Sequence, residues 1–327
     1  MEQPPTIATL GGHSMGTTWS VRLVVAAQRD LRPLHDGITA RLNEIIVQMS
    51  TWEEAALISR FNRAPAGTGF TLPEEFSSVL AAALDVARAS DGAFDPSIGP
   101  LVALWGFGAH AGAQQRPDAT TLAATRARCG WQRLAWQPGQ PLVQPGGLEL
   151  DFSAIAKGYA VDHISAWLQH CAVPAALVEV GGELRGYGHK PDASPWRVLV
   201  ETGPEEDADA DWPARVLALD GLAVATSGDH YHHYRDADGL VSHSLDPRSG
   251  QPVAMTTAAV TVLASSAMLA DAWATALTVL GPQAGLALAE QHDLAARFVS
   301  RQPDGPHEHL SRAFAALLED TAMGSKA

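Results

Sequence analysis

Apolar and polar residues alternate from Thr17 to Val25, a period of two that predicts a strand. Ile38, Leu42, Ile45, Ile46 and Met49 then recur at helical spacing and predict an amphipathic helix. Thr71-Leu72-Pro73-Glu74 has the form of a capping box and predicts a second helix running to about Arg88. Further strands are expected near 176–180, 196–201, 215–219, 223–226 and 240–245. The longest apolar region, 254–280, carries Asp271 and scattered Thr and Ser, which disfavours a membrane span. It reads instead as a β-branched strand, Val260 to Ala264, followed by a helix that Ser265-Ser266 caps. Strands and helices mix without a strict βαβ rhythm, so the expected class is α+β.

Composition narrows the choices. A chain of 327 residues with 46% hydrophobic content can bury a substantial core. The reading is a single domain over 5–320, which two lobes around a cleft would also satisfy, with 321–327 as a tail. A net charge of -14 with no Lys/Arg cluster excludes nucleic-acid binding, which needs a basic surface. The same charge repels free anionic nucleotides unless a divalent cation intervenes. Cys129 and Cys171 are too few for a disulfide framework or a thiolate metal motif, and read as small buried apolar residues. Segments 109–117, rich in Gly, Gln and Ala, and 205–211, acidic, read as solvated loops. Residues 1–10 lack a basic segment, an apolar core and a lipidation cysteine, so a cytoplasmic location is expected of the sequence as written.

Chemistry concentrates toward the C-terminal half. Asp271 and Thr275 lie four apart in a helical stretch and share one face. A carboxylate and a hydroxyl side by side suit magnesium, which takes oxygen ligands in octahedral geometry and shares them with substrate phosphates. Such pairs also occur on ordinary helices, where Thr bonds back to a carbonyl and Asp faces water. Other polar clusters accompany this pair. They are Met15-Gly16-Thr17, Met49 to Trp52, Asp91 to Pro96 with Trp105 to Gly108, Asp151 to Asp162, Gly181-Gly182, Thr226 to Asp229 and His243 to Gly250.

Taken in order, these segments resemble the ApbE family of magnesium-dependent FAD:protein FMN transferases, over about Leu10 to Gly281. The resemblance implies largely antiparallel, T-fold-like mixed sheets with helices packed around a nucleotide cleft. It implies Mg2+ as cofactor and FAD as substrate, with FMN passing to a Thr or Ser hydroxyl of an acceptor flavoprotein, such as a redox-pump subunit, and AMP leaving. An FAD pyrophosphatase and a non-catalytic FAD carrier are the alternatives. Asp271, Thr275 and the Ala154 carbonyl are the implied metal ligands, and His243 assists the attacking hydroxyl. Met15, Trp52, Ala93, Phe94, Asp95, Asp151, Lys157 and Leu245 are the implied flavin-nucleotide contacts. Because many members are periplasmic or lipid-anchored, a periplasmic location is the alternative if a leader precedes this sequence.

The residues themselves leave other readings open. Trp52, Met15 and Lys157 are equally a core Trp, a core Met and a solvated Lys, and Asp151 a helix cap. Thr226-Ser227-Gly228 offers small donors to phosphate or ribose oxygens, or is a turn. His243 suits general-base work, or equally a structural hydrogen bond to the turn that Asp246 is read as capping. Arg248 fits a phosphate contact or an exposed turn. His230 and His232 share a strand face, but no third ligand frames a zinc site. Ala56-Leu57 stands where the family often carries Ser-Glu after its Met-Ser-Thr motif, and two further positions depart from the family pattern. Ala274 stands where an acid often precedes the Thr, and Glu183 follows Gly181-Gly182 where Asp or Asn is usual.

Overall fold

The computed structural model describes residues 4–200, 215–228, 233–236, 239–254 and 257–324. Its frame is an eight-stranded sheet in the order β1-β2-β5-β6-β9-β14-β15-β16. These strands are β1 (Thr6–Ser14), β2 (Thr17–Val25), β5 (Ala176–Val180), β6 (Glu183–Tyr187), β9 (Ala223–Gly228), β14 (Thr257–Ala264), β15 (Ala295–Gln302) and β16 (Gly305–Leu310). Every neighbouring pair is antiparallel. Four short pairs complete the strands: β3 (Gly69–Phe70) with β4 (Leu142–Val143), β7 (Trp196–Val200) with β8 (Arg215–Leu219), β10 (His233–Asp236) with β11 (Gly239–Ser242), and β12 (Leu245–Asp246) with β13 (Gln251–Pro252). The helices are α1 (Arg32–Met49), α2 (Leu57–Asn62), α3 (Glu74–Ala89), α4 (Gly99–Leu104), α5 (Ala119–Arg126), α6 (Ala156–His170), α7 (Ala267–Gln291) and α8 (Arg312–Gly324). The expected α+β class with largely antiparallel sheets holds.

The pleat explains the layers. Val21, Val178, Val262 and Phe298 point to one face, where they pack with Ile38 and Leu42 of α1, Val161 and Ile164 of α6, and Ala270 and Leu277 of α7. Their neighbours Leu177, Val224 and Leu263 point to the other face, covered by Val198 and Leu217 of the β7–β8 hairpin and Phe314 of α8. With both faces covered, β14 is buried along nearly its whole length, which accounts for its unbroken apolar sequence. A third cluster, Leu101, Trp105, Tyr234, Val241 and Leu245, lies apart from these two.

Among the described residues, α7 alone has the length and hydropathy of a membrane span, yet it packs on α6, β9 and β14 as a core helix. Gly281 (φ 72°) and Pro282 break it in its second half.

The predicted strands at 17–25, 176–180 and 215–219 match the observed ones residue for residue, and Ser266 caps α7 by accepting from the Leu269 N–H at 3.3 Å. Three expectations are corrected. Thr71 does not cap α3: the helix starts at Glu74 with Pro73 at its N-cap and no side-chain cap bond, because a residue before Pro is held out of the helical region. The strand expected over 240–245 is two strands, with His243 and Ser244 between them. Cys129 and Cys171 are free thiols but only half-buried. Segment 109–117 is an exposed loop, as expected, whereas 205–211, Asp229, His230 and His232 lie outside the described residues.

Candidate functional site

Helices α6 and α7 cross so closely that only glycine fits at 158: a Cβ there would stand 2.2 Å from the Ala267 carbonyl oxygen. Their crossing is fixed by Asp162 of α6. One of its oxygens accepts from Ser266 Oγ at 2.8 Å and from the Met268 N–H at 3.0 Å, at the positive end of α7. Its other oxygen accepts from Arg185 at 2.6 Å.

That crossing brings Asp271 onto the first turn of α6. The Asp271 side chain is buried, and its Oδ2 accepts from the Gly158 N–H at 3.1 Å. In a continuous helix this N–H would bond to the carbonyl four residues back, that of Ala154. Donating to Asp271 instead leaves the Ala154 oxygen without its usual helical partner. Thr275 follows one turn along α7 and is half-buried. The three implied metal ligands are therefore tied to one helix crossing. A buried carboxylate, a hydroxyl and a carbonyl form a hard-oxygen donor set that fits magnesium.

Lys157, next to Gly158, donates from Nζ to Glu183 Oε1 at 2.7 Å. Glu183 is buried, and its Oε2 has no hydrogen-bond partner. Burial, then the Asp271 charge, push the Glu183 carboxyl up to about 8. Burial also raises Asp271, against the Lys157 charge and the Gly158 bond. Burial of Lys157 pulls its ammonium down, but Glu183 and Asp271 outweigh that and raise it. Two carboxyls thus share one ammonium, an excess of negative charge that a divalent cation would relieve.

The glycine pair closes the other side. Gly181 and Gly182 both have positive φ, 60° and 100°. A Cβ on Gly181 would meet Thr17 Cγ2 at 2.9 Å and Lys157 Cδ at 3.1 Å. The Gly181 N–H donates to the Thr18 carbonyl at 3.0 Å. Thr17 follows the Met15-Gly16 hairpin turn, whose φ values of 52° and 71° are unusual for Met and ordinary for Gly. Thr17, just after the Met15-Gly16 turn, and Lys157 thus both border Gly181.

A second group of predicted residues gathers around Asp95. Its Oδ1 accepts from the Ser97 N–H (2.8 Å) and Oγ (2.6 Å), and its Oδ2 from the Trp131 N–H (3.1 Å). Ala93, Phe94 and Leu245 are also buried, so these positions can offer a ligand mainly backbone atoms. Asp151 joins this group through its N–H, which donates to the Pro96 carbonyl at 2.8 Å, while its carboxylate caps Ser153. Arg248 is held by Asp246 in a two-pronged pair at 2.8 and 2.9 Å, which favours the turn reading over a phosphate contact. His243, in the break between β11 and β12, meets Phe107 edge to face at 6.4 Å, and Phe107 packs on Tyr234 at 5.4 Å.

Thr226 pairs its hydroxyl with Thr261 at 3.0 Å, and Ser227 and Gly228 complete the half-buried end of β9. Trp52 stands apart. It is 73% exposed on the turn after α1, and only its backbone is tied, to Ser50 Oγ at 3.2 Å. The motif reading missed Glu183 as a site residue. Its sequence signal was a departure from the family pattern, and only the fold reveals its pairing with Lys157.

A family profile described as the ApbE family matches residues 15–298. An FAD:protein FMN transferase of Vibrio cholerae serotype O1 is 34% identical, with 97% of this chain and 94% of that protein covered. One of Klebsiella pneumoniae is 32% identical, with coverage of 96% and 90%. The crystal structure of Pseudomonas stutzeri flavinyl transferase ApbE, apo form, superposes with a TM-score of 0.89 at 38% identity, covering 97% of this chain and 98% of that one. Sequence and backbone similarity both extend over nearly all of the chain, and the chain belongs to the ApbE family.

Proposed function

We propose that this protein transfers the FMN part of FAD to a Thr or Ser hydroxyl of a target flavoprotein, in a magnesium-dependent reaction that releases AMP. The observation that carries this reading is the buried Asp271, locked to the Gly158 N–H beside Lys157 at the α6–α7 crossing. The names of the full-length relatives, FAD:protein FMN transferases, support the flavin nucleotide as donor.

In this reaction the acceptor oxygen forms a new bond to the FMN-side phosphorus. The bridging P–O bond breaks, AMP carries away that electron pair, and the hydroxyl proton is lost. His243 takes that proton, a role suited to an imidazole. Lys157 offsets phosphate charge, and its pairing with Glu183 holds the ammonium in place. Asp271, Thr275 and the Ala154 carbonyl would hold a Mg2+ ion, which would supply charge neutralisation at the phosphates. Trp52 presents an open ring face for stacking on a flavin or adenine ring.

The test is incubation with FAD, Mg2+ and a candidate acceptor. A fluorescent acceptor band that survives denaturing electrophoresis, and is lost with Asp271→Ala and with His243→Ala, supports transfer. Free FMN with an unlabelled acceptor identifies a pyrophosphatase, and intact bound FAD identifies a carrier.

A further inference from the structure

We propose that Glu183 is the second carboxylate of the divalent-cation site formed around Asp271. The inference rests on the metal reading given above and adds a residue to it. Glu183 is 3% exposed. Its Oε1 is engaged by Lys157, while its Oε2 is buried without a hydrogen-bond donor. A buried carboxylate oxygen in that state is costly unless a cation or a cation-bound water meets it.

Three features direct this oxygen's charge to the Asp271 site. Glu183 and Asp271 interact electrostatically, and Lys157 interacts with both. The cluster holds two acidic groups against one basic one. Its backbone is also rigid: Glu183 opens β6 directly after the Gly181-Gly182 turn, which is pinned by Gly181 N–H to Thr18 O and by Gly182 N–H to Glu179 Oε1 at 2.9 Å. Helix α7 cannot supply the second carboxylate next to Thr275, because Ala274 is there and is buried. A glutamate reaching across from β6 provides that charge from a different element.

Mn2+ titration of the full chain without flavin, following the free ion by electron paramagnetic resonance, tests the assignment. Glu183→Gln keeps an oxygen for Lys157 and removes the charge. It is expected to weaken Mn2+ binding about tenfold, as loss of a supporting carboxylate does. In EDTA at pH 8 its melting temperature is expected to hold or rise, because repulsion between the carboxylates is gone. A purely structural Glu183 would not give this opposition of signs.

Lys157→Met, which removes the competing ammonium, is expected to strengthen Mn2+ binding. Unchanged Mn2+ affinity in Glu183→Gln, alongside its loss in Asp271→Asn, overturns the assignment and leaves the proposed function standing. Weaker Mn2+ binding in Lys157→Met also overturns it. If Asp271→Asn keeps full Mn2+ affinity, the metal reading falls and Glu183 falls with it.

Discussion

Trp52 and Glu183 are opposite cases at the scale of single residues. Trp52 leaves a large apolar ring in water, and nothing in the fold needs that ring. Trp52→Ala is therefore expected to change unfolding free energy by no more than about 0.5 kcal/mol. Its FAD affinity should fall severalfold, read by flavin fluorescence titration.

Glu183 is buried, and its carboxyl is raised from 4.5 to about 8. The folded state therefore binds its proton more tightly than the unfolded chain does. The stability it contributes is fully present below about 4.5 and is lost as pH rises toward about 8. In EDTA, Glu183→Gln should thus gain on the parent protein in melting temperature steadily across that window. A constant difference would remove the argument from charge burial.

At the scale of elements, the site depends on how closely α6 and α7 approach. Gly158→Ala places a methyl 2.2 Å from the Ala267 carbonyl oxygen and must push the helices apart. A loss of about 1–3 kcal/mol is expected in denaturant titration, together with loss of cation binding, since Gly158 also holds Asp271. Ser266→Ala removes the α7 cap and the Ser266 bond to Asp162 but leaves the Met268 N–H bond to Asp162, so it should cost about 1–2 kcal/mol with cation binding retained.

These elements differ in how well the chain announces them. Strand β2 and helix α7 were legible because alternation and an N-cap serine are local signals. The start of α3 was misjudged because Pro73 outweighed a capping pattern. The break at His243–Ser244 is held partly by a local bond, the Ser244 N–H donating to Ser242 Oγ at 3.1 Å, which hydrophobic alternation does not reveal. It is also stabilised by longer-range bonds, such as the Val253 N–H to the Ser244 carbonyl at 2.9 Å.

At the scale of the whole molecule, one sheet separates two apolar layers; the proposed metal ligands belong to the layer that contains α6 and α7, while His243 stands beside the third cluster. The opposite layer is tied to the sheet by Glu308 of β16, which accepts from both Arg215 of β8 and Arg297 of β15. The Arg297 side chain is fully buried. Glu308→Gln removes the negative charge that Arg215 and Arg297 share and should destabilise the fold by about 3 kcal/mol. Flavin affinity per folded molecule should stay unchanged, because the change lies on the other layer. A comparable loss of affinity would show that the two layers are coupled.

Residue order and patterning were enough to reach the ApbE family, the α+β class, the strands with clear alternation, and the candidates Asp271, Thr275, Lys157 and His243. Residue type, order and short-range periodicity are properties of the chain and survive without a fold. Packing alone establishes that Gly158 donates to Asp271 and that Glu183 shares Lys157 with the Asp271 site. Those contacts join residues as far apart as 113 positions along the chain. Burial and pairing across such distances follow from how helices and strands pack, which no local pattern encodes.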